Sequence, residues 1–250
     1  MRLNLIFFQV FSISNFFLNI FIVFTFLFFG YHDIAAQGFI SISICNLFTY
    51  GFSGNIRNIY LGSKNTVSIK EIVLFRLVIS LVALFVSSFV VYFFISKLNF
   101  YYLLGIIILT VTSFVFELLI ARTEKTNTIN KYHAFNVLIF FISIFFLISF
   151  DLLQIFLIFV LLHVLLNFIF FRKIFKNITQ EKVKFILNFK KNLDLGIYST
   201  FIKTFSNLIW RYSAFLLLGN SKSAILFMAF SLGSFFGTLF DISYGASFLK

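Results

Sequence analysis

The stretch Ile72–Ile95, IVLFRLVISLVALFVSSFVVYFFI, decides the fold class. Its apolar residues cover every side of the chain, whereas a lipid-facing β-strand would alternate polar and apolar positions over about ten residues. It is long enough to cross a bilayer as a helix, which takes roughly 20 residues. Similar runs recur on both sides of it. Those before it are Leu5–Phe29 and Ala35–Leu61; those after it are Tyr101–Ile120, Phe135–Ser149, Leu152–Phe171, Leu195–Leu218 and Ala224–Phe248. The pattern predicts an all-α, polytopic transmembrane bundle of about eight spans, the short fifth crossing fully only if it begins near Tyr132.

Composition points the same way. Hydrophobic residues make up 61% of the 250 positions and charged residues 11%, and the mean hydropathy is +1.04, more apolar than one soluble core requires. The first run is too long for a signal-peptide core and lacks a small-residue cleavage pattern, so it is expected to remain. The 44 phenylalanines and the absence of proline resemble an AT-rich bacterial genome's choice of apolar residues.

The formal charge of +12 would suggest a nucleic-acid partner in a soluble protein. Here the cations gather in connections between apolar runs, so they report topology and no nucleic acid is expected. Arg57, Lys64, Lys70 and Arg76 lie at or near the second-to-third connection, and Arg122, Lys125 and Lys131 at the fourth-to-fifth. The sixth-to-seventh connection carries Arg172, Lys173, Lys176, Lys182, Lys184, Lys190 and Lys191, while the opposite loops hold only Lys97 and Lys222. This separation predicts a multi-pass bacterial inner (plasma) membrane protein with a cytoplasmic N-terminus. Within Arg172–Lys191 the apolar Ile174, Phe175, Ile178, Val183, Phe185, Ile186 and Phe189 interleave with the basic residues. That suits a helix lying on anionic lipid headgroups, and equally an ordinary cytoplasmic linker.

Cys45 is the only cysteine, and His32, His133 and His163 have no metal-ligand spacing. Neither a metal nor another cofactor is expected. The outer loops are short, no nucleophile, base and orienting group cluster, and phosphate-binding loops are absent, so the chain is not expected to be an enzyme.

The polar residues inside the spans are the candidate site. In the seventh span Ser199, Lys203, Ser206, Asn207, Trp210 and Ala214 fall on one helical face with Arg211 at its edge, while Phe201, Phe205, Leu208 and Tyr212 occupy the other. A cation near mid-membrane costs at least about 2.5–3.5 kcal/mol on insertion scales, so Lys203 and Arg211 are expected to face a wet cavity, with snorkelling as the bland alternative. The first span adds Ser12, Asn15 and Asn19 on one face, and the second is rich in glycine, serine and asparagine, which suits close helix contact. Arg57 closes the second span as a topology anchor or a phosphate ligand. Glu117 and Asp241 are the carboxylates well inside spans and are weak candidates for ion coupling; for Glu117 the nearby Arg122 offers a simpler role at the headgroups, and Asp241 matches Lys203 in depth.

A weak internal repeat accompanies these residues. Ser14-Asn15 recurs as Ser206-Asn207, and Gly30 after the first span recurs as Gly219 after the seventh, though in no single register. The order of polar-stippled span, short outer loop with glycine and small-residue-rich span thus begins twice, six helices apart.

The polar-stippled first span, the turn GYHDIAAQG (Gly30–Gly38) and the second-span ending GFSGNIRNIYLGSKN (Gly51–Asn65) precede a basic segment and then the stretch NLDLGIYSTFIKTFSNLIWRYSAFLLLGNSKSAILFMAFSLG (Asn192–Gly233). Together they resemble the Wzx-type polysaccharide (O-antigen) exporters, within the superfamily that also holds lipid II flippases and multidrug-and-toxin extruders. The resemblance implies two six-helix lobes that rock about a central cavity and pass a polyprenyl-pyrophosphate-linked oligosaccharide outward, with this chain expected to supply a first six-helix lobe (1–172), a cytoplasmic basic amphipathic linker (173–194) and the start of a second lobe (195–250). In polysaccharide and lipopolysaccharide biosynthesis such a flippase works among membrane lipids and glycan-assembly partners. It implies further that Arg211, Lys203 and Arg57 hold the pyrophosphate, and that the chain is the front part of a longer transporter or is completed by a second copy. Where these exporters often carry an acidic-basic pair in the seventh span, this chain has Trp210-Arg211. Other readings are a drug or cation antiporter of the same superfamily, and a membrane-bound glycan polymerase or acyltransferase.

Overall fold

The computed structural model describes residues 20–53, 56, 69–125, 152–180 and 187–240. Among these residues there is no strand. The first helix, α1, covers 20–28, and α2 spans His32–Asn46 and continues through one π-helical turn at Leu47–Gly51. Helix α3 spans Ile69–Val90 and also ends in a π-helical turn, Val91–Ile95. Then come α4 (Phe100–Lys125), α5 (Leu152–Gln180) and α6 (Leu187–Phe240). Four stretches, His32–Gly51, Lys70–Ile95, Phe100–Leu119 and Gly196–Ser234, are long and apolar enough to cross a membrane. The chain is a helical, membrane-embedded protein.

Chain reversals rest on glycine where the backbone requires it. Gly30 has φ 84°; its amide bonds the Leu27 carbonyl at 3.1 Å, and the Tyr31 amide bonds the Phe26 carbonyl at 2.9 Å. This is a Schellman closure, in which a left-handed residue ends a helix while satisfying its last carbonyls. Gly219 has φ 73° and ψ 177° inside α6. The Trp210 ring lies 5.6 Å from that of Phe227 and 4.7 Å from that of Phe230. In a straight helix Trp210 and Phe227 would stand about 25 Å apart at 1.5 Å per residue, so α6 folds back at Gly219 into two antiparallel arms. The break falls where the sequence separates its seventh and eighth apolar runs.

Helix α2 is the hub. His32–Gly51 is 83% buried, against 22% for Lys70–Ile95. The first arm of α6 runs antiparallel along it, from Arg211 donating to the Phe39 carbonyl at 3.2 Å to Thr200 donating to the Gly51 carbonyl at 3.4 Å, and Asn220, just past the break, donates to Asp33 at 2.6 Å. Helix α4 runs parallel to α2, tied by Asn99 to Gln37 at 3.0 Å near one end and by the Tyr50 and Phe114 rings, 5.0 Å apart, near the other. Helices α3 and α4 form a hairpin through residues 96–99. Helix α5 packs on α4 at Gly105, where a Cβ would come within 2.6 Å of Phe156 Cε1, so hydrogen there lets the two helices close.

Phenylalanine fills the centre. Phe26, Phe39, Phe156 and Phe227 are buried from four helices, with edge-to-face pairs at 5.1 Å (Phe26–Phe156) and 5.9 Å (Phe39–Phe227). Such ring pairs add about 0.5–1.5 kcal/mol each beyond the area they bury, and their geometry fixes helix register where lipid supplies no hydrophobic drive between helices.

Two sequence boundaries move. The sixth apolar run continues as one helix through Gln180, and α6 is already helical at Leu187. Residues 172–180 continue the helix that begins at Leu152, with Arg172 and Lys176 exposed on it. The expected fifth span and most of the first lie outside the described residues.

Candidate functional site

The packing of α6 on α2 decides which polar residues meet. Ser41 and Ser43 return their hydroxyls to the Gln37 and Phe39 carbonyls at 2.8 and 3.0 Å, so α2 satisfies its own small polar side chains while staying narrow. Thr200 and Thr204 do the same on α6, bonding the Gly196 and Thr200 carbonyls at 2.8 Å each. At Gly51 a Cβ would lie 2.9 Å from Thr204 Oγ1. This glycine–threonine ridge brings the two backbones together, as small residues do between membrane helices.

The ridge turns Arg211 inward. Its Nη1 donates to the Phe39 carbonyl at 3.2 Å and to Ser43 Oγ at 2.7 Å. The guanidinium carbon stands 5.6 Å from the Phe39 ring centroid and 6.0 Å from that of Phe227, within reach of cation–π attraction. Its Nε is buried without a hydrogen-bond partner among the described residues. A guanidinium has five N–H donors and no acceptor, so neutral oxygens and rings leave both charge and donor capacity unspent.

Lys203 does not join it. Lys203, Ser199 and Ser206 are exposed, while Asn207 and Trp210 are half-buried. Leu208, expected on the side away from the polar residues, packs against the core, and Phe201 meets Phe52 at 5.4 Å. The face of α6 that meets α2 is therefore rotated from the one drawn through the most polar residues. Contact followed side-chain size, with Thr200, Thr204 and Ala214 allowing approach, and the sequence reading weighed polarity instead.

A second cation lies elsewhere. Arg76, read from sequence as one of the cations around a loop, is only 2% exposed. Its Nη1 donates to Glu117 Oε2 at 3.0 Å and also to the Phe114 carbonyl, and its guanidinium carbon sits 4.3 Å above the Phe114 ring. Tyr50, carried by the π-helical turn of α2, brings its phenol against Glu117. Glu117, linked in the sequence reading to Arg122 and the headgroups, is thus engaged across the α3–α4 hairpin. A signal for this was present: Arg76 and Glu117 stand at nearly equal distances from the turn at residues 96–99, at the same depth on antiparallel neighbours.

Asn15, Asn19, Arg57 and Asp241 lie outside the described residues. His163 is buried on α5, its Nε2 3.1 Å from Asn167 Nδ2. Among the described residues no three His, Cys, Asp or Glu side chains converge as a metal site would need. No protein-family model matches the chain, and no curated protein or solved structure matches it either.

Proposed function

We propose that this chain serves to move a polyprenyl-pyrophosphate-linked oligosaccharide across the bacterial inner membrane by alternating access. The observation that carries the reading is Arg211, a cation held between apolar helices by a carbonyl, a hydroxyl and two rings. A charge in hydrocarbon surroundings calls for a counter-charge, and a site whose partners among the described residues are all neutral leaves that role to an anionic substrate. A planar guanidinium suits pyrophosphate oxygens, which it can meet through paired N–H groups. In this reading Lys203, exposed on the same arm of α6, meets the headgroup before Arg211 does. About eight spans with a cytoplasmic N-terminus place the basic connections inside the cell, where the lipid-linked substrate is loaded. The antiporter alternative needs a carboxylate free to exchange cations; of its two candidates Glu117 is engaged by Arg76, and Asp241 lies outside the described residues.

The test is binding of a polyprenyl pyrophosphate carrying a short fluorescent glycan to the chain reconstituted in vesicles. Arg211→Gln is expected to weaken binding at least tenfold, and Arg211→Lys to retain part of it. Equal affinity in the wild type and in the Arg211→Gln, Lys203→Gln double variant would overturn the proposal.

A further inference from the structure

At the Gly30 end of the bundle α3 changes its winding, and a groove opens beside the change. The turn Val91–Ile95 is π-helical, and Ser96 leaves it in an extended conformation, φ −162° and ψ 128°. The wider turn spreads the side chains that follow Phe89, and such single π-helical turns recur at functional sites. Phe89 and Phe93 pair at 4.6 Å, while Tyr92 turns across to meet Phe100 of α4 edge-on at 5.1 Å. Between them runs an open, mostly apolar trough of about 540 Å³ lined by Phe85, Val86, Ser88, Phe89, Tyr92, Phe93 and Phe100. That volume lies within the roughly 300–1,000 Å³ of small-molecule sites.

The lining selects hydrocarbon. Phe85 and Phe89 are 72% and 59% exposed, on the side of α3 where Leu74, Val78, Leu81 and Val82 are also exposed, so the trough opens onto the surface that the bilayer covers. At its rim stands an exposed cation. Lys97 Nζ lies 5.7 Å from the Tyr92 ring centroid, and among the described residues no carboxylate reaches it within ion-pair distance. Tyrosine and lysine beside an apolar surface are the side chains that settle at headgroup level. An apolar channel that ends at an unpaired cation complements a molecule with a hydrocarbon chain and a phosphate.

We propose that this trough is a binding site for an anionic phospholipid of the surrounding bilayer, one acyl chain lying along Phe85, Phe89 and Phe93 and the phosphate meeting Lys97. The site is separate from Arg211, which lies on α6 and contacts α2.

Native mass spectrometry of the full chain, released from detergent with equimolar phosphatidylglycerol and phosphatidylcholine, tests it. The wild type should retain phosphatidylglycerol about fivefold or more over phosphatidylcholine. Lys97→Gln, a change at an exposed side chain, should bring the two lipids to parity, and Lys222→Gln should leave the preference intact. Val86→Trp, which fills the trough floor, should reduce retention of both. Parity in the wild type, a preference that survives Lys97→Gln, or undiminished retention in Val86→Trp would overturn the proposal.

Discussion

Arg76 and Arg211 both sit among apolar helices, each with a buried Nε that has no partner among the described residues, yet only one of them meets a carboxylate there. Arg76 has a carboxylate, Glu117, together with a carbonyl, a ring and the nearby Tyr50 phenol. Arg211 has a carbonyl, a hydroxyl and two rings, with no carboxylate among the described residues. The first arrangement is electrically closed and joins α3, α4 and the end of α2 at one corner. The second is open, and it lies on the contact between α2 and the first arm of α6. An intramembrane charge is therefore not by itself a functional mark; its partners decide whether it pins helices or awaits a ligand.

Breaking the closed corner should have the largest effect. Glu117→Leu leaves Arg76 buried without its counter-charge, and such orphaned charges cost about 3–5 kcal/mol when fully buried. Glu117 is 30% exposed, so solvent screening places the expected loss near the lower end, about 3 kcal/mol. Unfolding by SDS in mixed micelles would measure it. The Arg76→Met, Glu117→Met double variant should recover most of the loss, and a single variant as stable as the wild type would show that the corner pins nothing.

Next in size is the contact that seats Arg211. Gly51→Ala places a methyl 2.9 Å from Thr204 Oγ1, an overpacking expected to cost about 1–3 kcal/mol. Removing the opposing atom in Gly51→Ala, Thr204→Ala should restore stability. If Gly51→Ala alone is neutral in the same SDS titration, α2 and α6 are not held together at this ridge.

The open site should respond differently from the closed one. Arg211→Met removes a cation without orphaning any acid among the described residues, so its stability cost is expected to stay below about 1 kcal/mol. The same variant should lose binding of the pyrophosphate-headed lipid. A loss as large as that of Glu117→Leu would mean that Arg211 is a structural pin after all. Smallest of all, Lys203→Gln on the exposed side of α6 should leave the SDS midpoint unchanged, because exposed substitutions seldom shift stability measurably. A clear shift would assign Lys203 a partner in the folded protein.

Much of the helical plan was legible. The runs around Ala35, Ile72 and Tyr101 appear as α2, α3 and α4, and Gly219 divides α6 where the apolar pattern pauses. The site was legible only in part. Arg211 drew notice because a cation in an apolar run is expensive wherever it points. Its separation from Lys203 was not visible, because helical projection assigns a face to a residue but does not say which face meets a neighbour. Arg76 and Glu117 were each explained locally, by the nearest loop and the nearest cation, whereas the pair forms between residues far apart in sequence.

That this chain is helical and membrane-embedded follows from its residues alone, because runs apolar on all sides satisfy their backbone in lipid only by coiling. The residues also determine where the chain can reverse, since the left-handed backbone at Gly30 and Gly219 is open to glycine at no steric cost. The packing of helix on helix made α2 central, set Glu117 against Arg76, and gave Arg211 neutral partners among the described residues. The physical reason is that lipid offers no hydrophobic drive to choose among helix faces. That choice fell to close approach at Gly51, Thr204 and Gly105, to the fit of phenylalanine rings, and to the pairing of charges, all of which exist only once the helices are side by side.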